Sequence, residues 1–127
     1  MKKQQSYLVL AISIFLICQN TTAQSCLPNG ITLNSQAAVN GFANSYPGCT
    51  HIIGDVKIVN SSVSSLAGLV QIKSIGGDLD IFYSANLTSL AGLDSLTSIG
   101  TNLQIGGDNG LTSLNGLNHL TSVGGTL

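Results

Sequence analysis

Leu87-Thr88-Ser89-Leu90-Ala91-Gly92-Leu93-Asp94-Ser95-Leu96-Thr97-Ser98-Ile99-Gly100-Thr101-Asn102-Leu103-Gln104-Ile105 decides how this chain is read. The pattern returns on both sides of it. With Val63, Leu87 and Leu111 as starting points, the columns align without gaps every 24 residues. Leu66, Leu90 and Leu114 match, as do Gly68, Gly92 and Gly116, and Leu69, Leu93 and Leu117. Ile72, Leu96 and Leu120 follow, then Ile75, Ile99 and Val123, then Leu79, Leu103 and Leu127. A fixed period in this range means stacked structural units rather than one globular core. Leu66, Leu90 and Leu114 are therefore expected in one vertical pile.

Two rhythms run inside each unit. Val56-Lys57-Ile58, Leu79-Asp80-Ile81 and Leu103-Gln104-Ile105 alternate, as a short strand with its apolar residues facing in. Leu87, Leu90, Leu93, Leu96 and Ile99 fall every third position. An α-helix drifts off that spacing, and Gly92 and Gly100 weaken it, so tight 3₁₀-like turns or short extended sides are expected. One unit cannot fold alone, because its neighbours must supply both packing and ladder hydrogen bonds.

Upstream of the repeats, residues 24–48 read as an N-terminal cap. Pro28-Asn29-Gly30 marks a turn. Ser35 is placed to cap a helix, and Val39, Phe42, Ala43 and Tyr46 then share one helical face. Pro47-Gly48 ends it. Residues 35–46 are thus expected as one short amphipathic helix over the open end of the stack, and 49–127 as the repeats.

Residues 1–23 read as a secretory signal peptide. Lys2 and Lys3 supply the basic start, Tyr7 to Cys18 the apolar run, and Thr21-Thr22-Ala23 the cleavage site. The 12 residues of that run fall short of the roughly 20 a spanning helix needs. Lipidation at Cys18 is disfavoured by the bulky Ile17 before it. The chain is thus expected to be secreted or surface-located, without a transmembrane segment once processed.

The full chain has 127 residues, 7% charged and 43% apolar. The processed form keeps Lys57 and Lys73 against five aspartates, a net charge of −3. Clustered positive charge for nucleic acid or anionic lipid is missing. Processing also leaves only Cys26 and Cys49, which an exported chain should pair. Their spacing supports neither a redox nor a zinc motif.

The pattern Ser-Leu-x-Gly-Leu-x-x-Leu-x-Ser-Ile-Gly-x-x-Leu-x-Ile, from Ser89 to Ile105, resembles the receptor L-domain family. It is closer still to bacterial secreted L-domain-like repeats, in which a segment like Tyr46-Pro47-Gly48-Cys49-Thr50 follows a short helix. The resemblance spans about residues 35–127. It implies a β-rich, right-handed, leucine-rich-repeat-like solenoid of about 24 residues per turn with one short capping helix. It also implies ligand recognition or adhesion, and it brings no catalytic residues. Leu127 falls at a core position within a repeat, so a longer protein is expected; otherwise the last repeat should fray and expose its leucines.

Two outward columns are the candidate binding face. One is Lys57, Asp80, Gln104 and the other Asp55, Asp78, Asn102. The first sets opposite charges side by side. The second gathers carboxylates, but too few oxygens for calcium without waters or loops, so no metal is assigned. Asp78 and Asp80 lack the cleft that acid–base chemistry requires. His51 and His119 stand in unrelated columns and read as surface residues. Recurrent threonines, such as Thr97 and Thr121, suit corners where hydroxyls bond local backbone. The sequons at Asn60 and Asn86 matter only in a eukaryotic host. The expected function is a non-catalytic recognition or adhesion module for a protein or glycan, needing no cofactor. A structural spacer carrying another domain is the alternative.

Overall fold

The computed structural model describes residues 24–107 and 109–127; the leader reading of residues 1–23 lies outside them. Among the described residues, nine short strands alternate between two parallel sheets. Strands β1 (Gln24–Cys26), β3 (Cys49–Ile52), β5 (Ser74–Ile75), β7 (Ser98–Ile99) and β9 (Ser122–Val123) form the first, in that order. Strands β2 (Ile31–Leu33), β4 (Val56–Val59), β6 (Leu79–Phe82) and β8 (Leu103–Gly106) form the second. The register is regular: Val56 pairs with Leu79 and Leu79 with Leu103, while Ser74 pairs with Ser98 and Ser98 with Ser122.

This corrects the expected right-handed leucine-rich-repeat-like solenoid with its one capping helix. The strands make two open parallel sheets of five and four strands, with few helices, an α/β-like arrangement and not an evident solenoid. Alternation revealed only the strand of the Leu-x-Ile type. The Ser-Ile strands are two residues long, too short to alternate visibly. They are held to the preceding unit by bonds that flank them, as in Thr97 N–H to Lys73 O at 2.9 Å and Gly100 N–H to Ile75 O at 2.8 Å.

Both sheets begin inside residues 24–48, which supply β1 and β2. The helical stretch is divided at Gly41 into α1 (Gln36–Asn40) and α2 (Phe42–Ser45). Ser35 caps α1, its Oγ accepting the Ala38 N–H at 3.1 Å. Val39 and Phe42 are buried, and the helices pack against a 3₁₀ turn at Ala67–Leu69. Gln36 secures this contact. Its Oε1 accepts the N–H groups of Ser64 (2.8 Å) and Ser65 (3.0 Å), and its Nε2 donates to the Ser65 carbonyl at 3.0 Å.

The core runs between the sheets. Val56, Ile58, Leu79 and Ile81 face in from one side, Ile52, Ile75 and Ile99 from the other, with Leu66, Leu69, Leu90 and Leu93 closing it. Gly92 and Gly116 both sit at φ +113°, and a Cβ there would fall on the carbonyl of Leu66 or Leu90. The close approach of successive units therefore requires glycine. Leu66 and Leu90 are fully buried, but Leu114 is 59% exposed and Leu127 88% exposed. The expected pile of three leucines is thus buried at only two of its members. Leu111, Leu117, Leu120 and Val123 pack partly against the core. Cys26 and Cys49 form a disulfide between β1 and β3, with Cα atoms 5.6 Å apart.

Candidate functional site

The outer face of the four-stranded sheet carries both candidate columns. Inward residues of β4, β6 and β8 alternate with Lys57, Asp80 and Gln104, which register pairing sets side by side. Lys57 Nζ lies 3.8 Å from Asp80 Oδ2, an ion pair beyond hydrogen-bond reach. Asp80 Oδ1 is buried and meets no donor among the described residues. The Asp80 side chain is only 14% exposed. Burial is the main cause that pushes its pKa above the ordinary carboxylate value; Lys57 opposes this, and Asp78 and Asp55 add to it. The result is an under-satisfied carboxylate between a cation and an amide.

Asp55, Asp78 and Asn102 do something else. Asp55 Oδ1 accepts the Asp78 N–H at 2.9 Å. Asp78 Oδ1 accepts the Asn102 N–H at 2.8 Å, its Nδ2–H at 3.0 Å, and the Thr101 hydroxyl. Asn102 Oδ1 in turn accepts the Thr126 N–H at 2.9 Å. The column is a ladder in which each side-chain oxygen binds the backbone of the next unit. The Thr101 hydroxyl and the Asn102 N–H hold the Asp78 carboxyl below its usual pKa, against a smaller effect of burial. These oxygens already serve protein donors, and among the described residues no group of three His, Cys, Asp or Glu could hold a metal.

Two aromatic residues were missed in the sequence: Phe82, which extends the first column, and Tyr83, which follows it just past the strand. Phe82 follows Asp80 on the same face, and its register partner is Gly106. A Cβ at Gly106 would come within 2.9 Å of the Phe82 ring, and one at Gly107 within 2.9 Å of the Tyr83 ring. The rings therefore lie over the last glycine of the next strand and the glycine that follows it, with centroids 6.3 Å apart. Tyr83 is 71% exposed at φ +56°, the left-handed region, which costs an L-residue about 1–2 kcal/mol. Its equivalent 24 residues on, Gly107, has φ +69° at no such cost. A legible signal existed: adjacent Phe-Tyr where the next unit has Gly-Gly.

The other sheet faces a second feature. His51, Lys73, Asp94, Ser95, Thr97 and His119 line an open cavity of about 450 Å³. The histidines read as unrelated thus share a concavity. His51 Nδ1 lies 2.6 Å from Ser74 Oγ, and His119 Nδ1 donates to the Asp94 carbonyl at 2.8 Å. A serine nucleophile would also need its imidazole oriented by an acid. Asp94 instead binds the Gly92 N–H at 2.8 Å. Thr97 and Thr121 hydroxyls donate across units, to the carbonyls of Lys73 and Thr97, each at 3.0 Å.

The chain matches no protein-family model and no curated protein. Among the described residues, no helix is long and apolar enough to cross a membrane.

Proposed function

We propose that this chain is a non-catalytic, secreted or cell-surface recognition module that engages its ligand through the outer face of the four-stranded sheet. The observation that carries this reading is Tyr83, a large aromatic kept exposed in a left-handed backbone conformation just past β6, its ring 6.3 Å from that of Phe82. Strain of this kind in a bulky residue concentrates at functional positions. Exposed aromatics next to polar groups favour binding. The likeness of Ser89 to Ile105 to receptor L-domains points the same way. An extracellular setting accords with the Cys26–Cys49 disulfide and with the leader read in residues 1–23.

Binding of the processed protein is to be profiled on immobilised oligosaccharides and on purified extracellular proteins, with hydrogen exchange mapping the footprint. Protection centred on β4, β6 and β8 is expected. A footprint on the five-stranded sheet, or no ligand in either set, overturns the reading. Intact mass of the exported form tests the address: it should begin at Gln24.

A further inference from the structure

We propose that the Asp80–Phe82–Tyr83 face is a saccharide site that seats one neutral pyranose ring, an inference resting on the recognition role above. The first support is size. Asp80 and Phe82 are two residues apart on one face, roughly 6.6 Å, and the column Lys57, Asp80, Gln104 crosses three strands, roughly 9.6 Å. That is the footprint of a single sugar ring.

The second support is chemistry. A pyranose offers an apolar C–H face and a rim of hydroxyls. Tyr83 supplies an exposed aromatic surface, steadied by the glycines beneath both rings. Asp80 Oδ1 is buried, and Oδ2, which faces Lys57 at 3.8 Å, is the carboxylate oxygen that can accept from a hydroxyl. Gln104 can donate and accept, and Lys57 can donate. A strand-like peptide would instead need unpaired backbone at a sheet edge; β4 and β6, which carry Lys57, Asp80 and Phe82, are paired on both sides, and only the edge strands β2 and β8 could take one.

The third support is charge. Asp55, Asp78 and Asp80 outnumber Lys57 on this face, so acidic sugars are repelled and uncharged ones are not. Phosphate and carboxylate ligands are disfavoured for the same reason.

The decisive variant is Tyr83→Gly. It places glycine where the backbone is already left-handed, as Gly107 does one unit on, so folding is preserved while the ring is removed. Titration calorimetry at millimolar concentrations would use neutral gluco-, galacto- and chito-oligosaccharides, with oligogalacturonate as the acidic control. Wild type should bind at least one neutral series, and oligogalacturonate at least tenfold more weakly. Tyr83→Gly and Asp80→Asn should each lose about tenfold or more in affinity, with thermal midpoints no lower than wild type. Equal binding of neutral and acidic series overturns the proposal, as does unchanged affinity in Tyr83→Gly. If no saccharide binds but an extracellular protein does, and Tyr83→Gly weakens it, the saccharide proposal fails and the recognition face stands. If neither class binds through this face, both fall.

Discussion

Asp78 and Asp80 are two residues apart on one strand and are shifted in opposite directions. Asp78 is held low by the Thr101 hydroxyl and the Asn102 N–H. It adds stability above the unfolded value near 3.8, and that contribution is lost as pH falls through the folded pKa. Asp80 is raised chiefly by burial, so the sign reverses: stability is lost as pH climbs from 3.8 through its folded pKa. Urea midpoints measured against pH should therefore part company. Asp78→Asn should flatten the acid limb, and Asp80→Asn should raise the midpoint near neutrality. Asn102→Ala leaves the Thr126 N–H without its acceptor and removes a donor from Asp78. A loss of about 1–2 kcal/mol is expected in urea unfolding.

Elements here are too short to stand alone. Strands of two to four residues hold only because each is bonded to the equivalent strand beside it, and the helices of four and five residues because they pack on the 3₁₀ turn at Ala67–Leu69. The disulfide acts at this level, tying β1 to β3 across 23 residues of sequence. Its removal in the double variant Cys26→Ala, Cys49→Ala should cost about 3 kcal/mol. Hydrogen exchange should localise the loosening to β1 and β3 and leave β8 unaffected. Gln36 is the matching device for α1. Gln36→Ala strands two backbone N–H groups, those of Ser64 and Ser65, and should lower stability by about 1–3 kcal/mol, read as a shift in the urea midpoint.

Across the whole molecule, burial falls away toward the last repeat. Leu90 is enclosed by units on both sides, so Leu90→Ala should cost about 2–5 kcal/mol. Leu114 occupies the matching position but is largely exposed, and Leu114→Ala should cost less than about 1 kcal/mol in the same denaturation assay. The 24-residue spacing was legible in the sequence because shared side-chain contacts demand the same residue type at each recurrence, as in Leu66 and Leu90 or Gly92 and Gly116. The sequence by itself determined which residues of the Leu-x-Ile strands face inward, which of their outward residues stand in columns, and that Cys26 and Cys49 were available to pair, but not that Leu114 and Leu127 would lie exposed. Only the tertiary structure decided that the strands divide into two open parallel sheets, because a two-residue strand has no periodicity and is defined by partners 23 or 24 residues away. It likewise separated two adjacent columns that look alike on paper. Asp78 satisfies the next unit's backbone, while Asp80 Oδ1 is left without a donor two residues from Phe82 and its exposed neighbour Tyr83, a difference set by through-space geometry rather than residue type.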